Sequence, residues 1–259
     1  MNQMAPLPTR ALNDRAFVLA TDLDGTFLGG SEVERQALYG WIEENRRTIG
    51  LIFVTGRDPG FIGELTSGDV PAPDYVVGDV GTTIAHFREG VVEPIAALEA
   101  EISTAWNGAG ARVREALDGH PGLTLQPTAF RYRVSYDYDP VAYDPTAETR
   151  MREMGFDVLI SDNRFFDVLP RGVSKGPSLR RLVNWLKVEE HRVLAAGDTL
   201  NDLSMLVSGL PAVAVGNSEE ALVERIAAHD QIYRAVAHGA GGILEAVEAF
   251  NLHPTPKGA

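Results

Sequence analysis

The sequence predicts an α/β protein with a doubly wound parallel sheet, into which a smaller α+β unit is inserted. Two apolar runs without alternation, residues 17–20 and 49–54, are typical of strands buried on both faces of a parallel sheet. Helical patterns follow both runs, which favours strands alternating with crossover helices. Between residues 86 and 166 the pattern changes to helix, two strands, helix, two strands. We therefore expect a core of residues 1–85 and 167–259 and an inserted domain of residues 86–166.

The first half of the core carries the clearest helix signal. Apolar residues recur at helical spacing over residues 31–45, and Ser31 with Glu34 fits a capping box at the start of this helix. The strand at 49–54 follows. A short helix and a third strand are expected after it, at residues 61–66 and 74–77.

The insertion and the second half of the core complete the predicted order. The insertion should contain a helix over 97–117 interrupted near two glycines, strands at 123–126 and 130–138, a helix at 145–154, and strands at 156–160 and 165–169. The core should then resume with helices at 176–185, 203–207, 219–229 and 242–250 and strands at 192–196 and 212–215. Residues 253–259 look like a polar tail without an assigned role.

Composition excludes several classes of function. The formal net charge of -13 would repel nucleic acid and anionic membranes, so we expect neither as a partner, and an anionic substrate must meet a local positive cluster. The absence of cysteine excludes disulfides, thiolate metal sites and a cysteine nucleophile. No apolar run approaches 18 residues, and residues 1–15 are polar. We expect a cytoplasmic protein that is a monomer or a small homo-oligomer.

Two carboxylates follow the first predicted strand. Asp22 and Asp24 alternate at the strand end, and Gly25 lets the chain turn so that both lie at the carboxyl edge of the sheet. Like charges about 4 Å apart repel by about 4 kcal/mol at an effective dielectric constant of about 20, which favours a bound cation. Mg²⁺ is the natural candidate because it is a hard ion that prefers oxygen ligands. An ordinary Asp-Gly turn is the alternative for this stretch alone.

Other polar groups end a buried segment or begin a helix in the same way. They are Thr55 after the second strand, Lys175 before a helix, and Asp198 with Asp202 after a later strand. Taken singly, Thr55 fits a helix cap and Lys175 a solvated side chain. Together with the first two carboxylates they complete the set needed for phosphoryl transfer through an aspartyl-phosphate.

In that chemistry Asp22 is the nucleophile and Asp24 the general acid and base. Thr55 and Lys175 would neutralise the phosphoryl oxygens. Asp198 fits an outer cation ligand, and Asp202 would orient Lys175 or a water on the cation. Arg57 is a second candidate for contacting the substrate, because an acidic protein needs fixed positive charge there.

These stretches resemble the four motifs of the haloacid dehalogenase (HAD) superfamily of phosphohydrolases. The matching segments are DLDGT at 22–26, VTGR at 54–57, Lys175, and GDTLND at 197–202. The insertion falls between the second and third motifs, which resembles members with a Rossmann-like core and a cap domain at that point. The resemblance implies Mg²⁺, metal ligands Asp22, Asp24, Asp198 and Asp202, and substrate contacts from Thr55, Gly56, Arg57, Lys175 and Asn201.

Within the superfamily, further segments are similar to the sucrose-phosphate phosphatase branch: Asp74-Tyr75, Val80-Gly81, and residues 133–136, 167–170, 174–176 and 241–246. This branch removes phosphate from disaccharide phosphates such as sucrose 6-phosphate, and similar bacterial enzymes act on mannosylfructose phosphate. A phosphorylated sugar is therefore the expected small-molecule partner. In the strand at 130–138 we expect the face with Arg133 and Ser135 to meet the sugar. The alternatives are that Tyr136 contacts it from the opposite face, or that the first face is a solvated outer face.

Three other classes of protein and one other substrate class share parts of this pattern. A receiver-type signalling module also gathers acidic residues, Thr and Lys around magnesium, but it is about half this length and has no insertion. Sugar phosphomutases of the superfamily resemble proteins with a cap between the first and second motifs. A dehalogenase would not need Asp24. A phosphatase for another small metabolite, of the monosaccharide phosphate or glycosyl-phosphoglycerate type, keeps the same chemistry.

Overall fold

A computed structural model describes residues 11–256, which fold around two sheets. The strands, in chain order, are β1 (Phe17–Thr21), β2 (Ile49–Val54), β3 (Tyr75–Gly78), β4 (Thr83–Arg88), β5 (Val91–Pro94), β6 (Leu123–Leu125), β7 (Val134–Tyr138), β8 (Phe156–Ser161), β9 (Phe165–Pro170), β10 (Val193–Gly197), β11 (Ala212–Ala214) and β12 (Ile232–Arg234). The α-helices are α1 (Glu32–Glu44), α2 (Pro59–Leu65), α3 (Ala96–Trp106), α4 (Gly110–Ala116), α5 (Thr146–Glu153), α6 (Lys175–Leu186), α7 (Leu203–Leu206), α8 (Glu220–Arg225) and α9 (Gly239–Ala249).

The larger sheet has the strand order β12-β11-β10-β1-β2-β3-β4-β5. The first six strands in this order run parallel, and β4 and β5 join the edge as an antiparallel meander. The reversal of strand order lies beside β1, and ligands of open α/β sheets bind at such a point. The predicted doubly wound fold is confirmed.

Helices cover both faces of this sheet. Val18 and Ala20 of β1 pack in one apolar cluster with Leu182 of α6, whereas Phe17 and Leu19 pack on the opposite face with α1 and α9. This alternation explains why residues 17–20 of β1 are all apolar. Each fully buried side chain of this size contributes about 1.5–3 kcal/mol, so the two clusters fix the strand register.

The predicted start of α1 is confirmed in detail. Glu34 N–H donates to Ser31 Oγ at 3.2 Å, and Ser31 N–H donates to Glu34 Oε2 at 2.7 Å. Leu38, Trp41 and Ile42 form the buried face of the helix. The capping box therefore sets where the helix begins, and the apolar stripe sets how it docks.

The second sheet has the antiparallel order β6-β7-β9-β8. Its apolar face packs on Trp106 of α3, Val113 of α4 and Met151 of α5, so this unit has its own core. The break between α3 and α4 occurs where Asn107 and Gly108 adopt positive φ. This confirms the interruption expected in the 97–117 helix.

The sheets do not divide the chain at residues 86 and 166. Strand β4 continues the large sheet through residue 88 and β5 through residue 94, whereas β9 belongs to the small sheet through residue 170. The chain doubles back after β3 because Asp79, Val80 and Gly81 all have positive φ, which makes a tight reversal. The predicted domain bounds stay a prediction, and the secondary structure crosses both of them.

Two further differences bear on the site. The strand expected at 130–138 begins at Val134, and the side chains of Arg131 and Arg133 just before it bond to Glu99 of α3 and to the Gly56 carbonyl in the turn after β2. The tail at 253–254 is docked rather than free: Pro254 O accepts from Trp41 Nε1 at 2.8 Å. Within residues 11–256, no helix combines the length and the hydropathy needed to cross a membrane.

Candidate active site

Three neighbouring strands end at the same edge of the large sheet and bring the candidate residues together. β10, β1 and β2 lie side by side and run parallel, and they are followed by Asp198, Asp22 and Thr55. Parallel strands place their carboxyl ends on one edge, which is where open α/β sheets bind ligands. The apolar strands therefore align these three polar groups, although they are far apart in sequence.

Lys175 lies at the centre of this edge. It is the first residue of α6 and is fully buried. Its Nζ donates to Asp22 Oδ1 at 2.6 Å, to Asp202 Oδ1 at 2.7 Å and to Asn201 Oδ1 at 2.6 Å. Burial lowers the pKa of Lys175, but Asp202 and Asp22 more than offset this and raise the pKa above its usual range. The ammonium stays charged, with all three of its protons bonded.

Asp202 connects Lys175 to the loop after β10. Its second oxygen, Oδ2, accepts from the backbone N–H of Asp198 at 3.0 Å and of Thr199 at 3.1 Å. The carboxylate is fully buried, and each of these bonds gives a partner to a backbone N–H group that would otherwise be unsatisfied. A residue that orients Lys175 and the loop containing Asp198 would make these contacts.

Asp22, Asp198 and Asp202 form a compact acidic cluster. One carboxylate oxygen from each lies within 4.8 Å of the others, and all three side chains are buried. Burial raises the pKa of Asp22 well above its usual range, and burial with the nearby Asp202 raises the pKa of Asp198 to about 7. A bound divalent cation would offset the repulsion that remains beside Lys175. Because all the donors are oxygen atoms, the cluster fits the predicted ion, Mg²⁺.

Asp198 is held from two sides. Thr26 Oγ1 donates to Asp198 Oδ1 at 2.7 Å, and Asn217 Nδ2 lies 3.5 Å from Asp198 Oδ2. Asn217 also donates to Gly25 O at 3.0 Å and accepts from Gly239 N–H at 2.8 Å. The sequence interpretation missed Asn217, although a polar side chain just after the predicted strand 212–215 was the signal that could have identified it.

Gly25 is required by this packing. Its φ is +80°, and a Cβ built on it would lie 2.1 Å from Asp198 Oδ2. The backbone of the first motif therefore approaches the acidic cluster closely, and glycine permits both the conformation and the contact.

Asp24 lies outside the acidic cluster. Its carboxylate is half-exposed and accepts two bonds from Arg57, from Nε at 2.8 Å and from Nη2 at 2.9 Å. Arg57 also stacks over the ring of Phe61, 4.6 Å from the centroid. The structure therefore brings Asp22, Asp198 and Asp202 together, whereas the Asp24 side chain pairs with Arg57. Its role as a metal ligand stays a prediction.

The remaining candidate residues lie on the turn after β2 and in the small sheet. Thr55 is buried, and its Oγ1 accepts from Arg57 N–H at 3.1 Å. Arg133 Nη1 donates to Asp167 Oδ1 at 2.9 Å, and the hydroxyl of Ser135 donates to the same oxygen. Arg133 and Ser135 are thus engaged with Asp167, and their sugar contact stays a prediction.

A cleft of about 520 Å³ lies between the two sheets. The core contributes residues such as Asp22, Asp24 and Arg57, and the inserted segment contributes polar and aromatic side chains, among them Gln126, Thr128, Phe130, Arg164 and Phe165. The volume exceeds that of a phosphate ion and lies in the range of small-molecule sites. The cleft has room for an organic group attached to the phosphate.

Comparisons with known proteins identify the family of this chain. The model of the family described as Sucrose-6F-phosphate phosphohydrolase matches residues 15–251. The chain is 39% identical over 235 residues to glucosylglycerol-phosphate synthase of Pseudomonas anguilliseptica. This match covers 90% of this chain but only 30% of the length of that protein. It is 25% identical over 247 residues to mannosylfructose-phosphate phosphatase of Agrobacterium fabrum, covering 92% of this chain and 98% of that protein.

Solved structures give the same result. The sucrose-phosphatase of Synechocystis, determined in complex with sucrose and phosphate, has a TM-score of 0.83 and 26% identity and covers 92% of this chain and 98% of that chain. The haloacid dehalogenase-like protein yhjK of Bacillus subtilis, at 16% identity and a TM-score of 0.67, shares the fold. The resemblance drawn from the four motifs is confirmed, and the chain belongs to the sucrose-6F-phosphate phosphohydrolase family within the HAD superfamily.

Proposed function

We propose that this protein is a Mg²⁺-dependent phosphatase that removes the phosphoryl group from a phosphorylated sugar. One observation carries the proposal: the buried Lys175 ammonium bridges Asp22 and Asp202 beside Asp198. This arrangement supplies a nucleophile, fixed positive charge and a set of oxygen ligands for a cation within one site. Phosphoryl transfer needs these three elements.

The reaction proceeds in two displacements. Asp22 attacks phosphorus as the bond to the sugar oxygen breaks, which gives an aspartyl-phosphate and a leaving alkoxide that takes a proton from Asp24. Asp24 then removes a proton from water, which attacks phosphorus and releases inorganic phosphate and free Asp22. Lys175 places positive charge beside the phosphoryl oxygens in both steps, and the hydroxyl of Thr55 donates a hydrogen bond to one of them.

Asp22, Asp198 and Asp202 are the side chains that would hold Mg²⁺, and Asp24 is the further ligand expected from the resemblance. When bound, Mg²⁺ neutralises charge on the transferring group and offsets repulsion within the acidic cluster. Lys175 remains necessary beside the ion, because its ammonium compensates the two carboxylates that it contacts.

The substrate class follows from the cleft and from the relatives. A disaccharide phosphate, either sucrose 6-phosphate or mannosylfructose phosphate, is supported by the names of the family and of the bacterial relative. Glucosylglycerol phosphate is the second candidate, because the chain is 39% identical to part of the synthase named for it. Cytoplasmic location, a monomer or small homo-oligomer, and the lack of a nucleic-acid partner stay predictions.

The test measures phosphate release by the purified full chain from these three compounds, from monosaccharide phosphates and from a glycosyl-phosphoglycerate, with Mg²⁺ and with excess chelator. We expect Mg²⁺-dependent turnover, with the highest kcat/KM on one of the three glycosyl phosphates. Asp22→Asn serves as the inactive control. A single stoichiometric phosphorylation without turnover would instead support the signalling-module alternative.

A further inference from the structure

Arg133 connects the inserted segment to the core. It lies one residue before β7 and is 7% exposed. Its Nη1 donates to Asp167 Oδ1 at 2.9 Å, and its Nη2 donates to the carbonyl oxygen of Gly56 at 3.3 Å. The guanidinium lies over the ring of Phe130, 3.6 Å from the centroid. A side chain of the insertion therefore bonds directly to the turn that follows β2 of the core.

The peptide unit between Gly56 and Arg57 is held at both ends. Its carbonyl oxygen accepts from Arg133, and its N–H donates to Thr55 Oγ1 at 3.1 Å. Because a peptide unit is planar, fixing the carbonyl direction also fixes the N–H direction. The Thr55 hydroxyl, by accepting this N–H, keeps its own proton for another acceptor. The hydrogen bond from Arg133 to this peptide unit therefore also constrains the hydroxyl of Thr55.

Two carboxylates hold the guanidinium in place. Asp167 accepts from Arg133 and from the hydroxyl of Ser135, and Asp79 Oδ1 lies 3.9 Å from Arg133 Nη2. That buried Asp79 oxygen has no hydrogen-bond partner among residues 11–256, while the other oxygen accepts from Thr83 Oγ1 at 2.6 Å. The planar fork of arginine carries its N–H donors on separate nitrogens in fixed directions, so it spans the distance between Asp167 and Gly56 O in a set geometry that the compact ammonium of lysine does not reproduce.

We propose that Arg133 is a positioning residue for phosphoryl transfer, which orients the Gly56–Arg57 peptide unit and through it the Thr55 hydroxyl. The inference rests on the proposed phosphatase function. It gives the inserted segment a role in the chemical step, in addition to covering the cleft. A residue that only bound the sugar would affect substrates with sugar hydroxyls and leave a simple aryl phosphate unchanged.

The first test compares Arg133→Ala with wild type on p-nitrophenyl phosphate and on the preferred sugar phosphate. The positioning role predicts that kcat falls by the same factor on both substrates, about tenfold to a hundredfold, because the phosphoryl site itself is misaligned. A loss confined to the sugar phosphate, seen mainly in KM, would overturn the role and support sugar binding. Arg131→Ala is the matched control, since Arg131 pairs with Glu99 instead of the turn, and it should retain activity.

The second test is a double-mutant cycle with Thr55→Ala, with thermal unfolding measured for every variant. If Arg133 acts through Thr55, removing Arg133 should cost less than about twofold in kcat once the hydroxyl is gone. Penalties that multiply would overturn the inference while leaving the phosphatase function intact. A wild type without turnover on any phosphate ester would overturn both.

A replacement that fails to fold does not end the test. Arg133→Lys keeps a buried positive charge between Asp79 and Asp167, so the same cycle is measured with it. We expect it also to lower kcat on both substrates, because one ammonium cannot bond to Asp167 and to Gly56 O in the geometry of the guanidinium. Wild-type kcat in Arg133→Lys would contradict the proposal.

Discussion

Arg57 binds both carboxylate oxygens of Asp24, with distances of 2.8 Å and 2.9 Å. The pair is half-exposed and lines the same cleft as Asp22 of the buried acidic cluster. A phosphate ester that enters the cleft offers Arg57 a second acceptor of the same fork geometry. The guanidinium is therefore placed both to restrain the general acid and to receive the phosphoryl group.

Replacing Arg57 should weaken binding more than it slows the chemical step. A hydrogen bond to a charged group contributes about 1.5–3 kcal/mol, and the exposure of Arg57 favours the lower end, so Arg57→Ala should raise KM for phosphate esters about tenfold. KM for p-nitrophenyl phosphate and the inhibition constant of inorganic phosphate should rise together. Arg88→Ala, which removes an exposed arginine of β4, is the control. An unchanged inhibition constant for phosphate would show that Arg57 does not contact the phosphoryl group.

Asp24→Asn should separate the two chemical steps. Loss of general acid and base catalysis lowers rates by about 10²–10⁴-fold, so kcat on a sugar phosphate should fall by that amount. The nitrophenolate group leaves without a proton from the enzyme, so p-nitrophenyl phosphate should still phosphorylate Asp22. We expect a stoichiometric burst of nitrophenolate followed by slow turnover in rapid-mixing measurements. Asp22→Asn should show no burst, and a burst in that variant would exclude Asp22 as the nucleophile.

The positions of the core residues were predictable because they depend on strand order. Asp22 and Thr55 each follow an apolar run, and consecutive parallel strands of a doubly wound sheet place their ends together. The pairing of Asp24 with Arg57 was not predictable, since it depends on the rotamers of two half-exposed side chains. The link from Arg133 to Gly56 depends on how the inserted sheet docks, which periodicity does not encode.

The strand pair β3–β4 shows a second limit. The reversal between these two strands places Val80 at a φ of +59°, a conformation that β-branched residues rarely adopt. Turn prediction depends on glycine, asparagine and proline signals, so it cannot anticipate valine there. Two backbone hydrogen bonds to the turn after β2 stabilise this strained conformation. Val80 N–H donates to Thr55 O at 3.1 Å, and Asp79 N–H donates to Arg57 O at 3.1 Å.

Mg²⁺ should stabilise the folded protein through the acidic cluster. A ligand that binds only the native state adds about 2.7 kcal/mol at 100 times its dissociation constant, so the thermal midpoint should rise with added Mg²⁺. Asp198→Asn removes one buried carboxylate, which should leave the metal-free protein at least as stable and abolish the response to Mg²⁺. Asp230→Asn, an exposed carboxylate, should respond like wild type. A full Mg²⁺ shift in Asp198→Asn would place the ion elsewhere.

Gly25→Ala should damage the metal site through the Asp198 carboxylate. The left-handed backbone at φ +80° costs an alanine about 1–2 kcal/mol, and the added Cβ would lie 2.1 Å from Asp198 Oδ2. Because Gly25 is fixed by the bond from Asn217 to its carbonyl, the carboxylate must move. We expect a higher Mg²⁺ concentration for half-maximal activity and a lower kcat. Gly90→Ala is a matched control, since Gly90 has φ +81° and open space at its Cβ position. It should lose similar stability but keep wild-type Mg²⁺ dependence, and equal Mg²⁺ dependence in both variants would show that the close approach at Gly25 is not what holds Asp198.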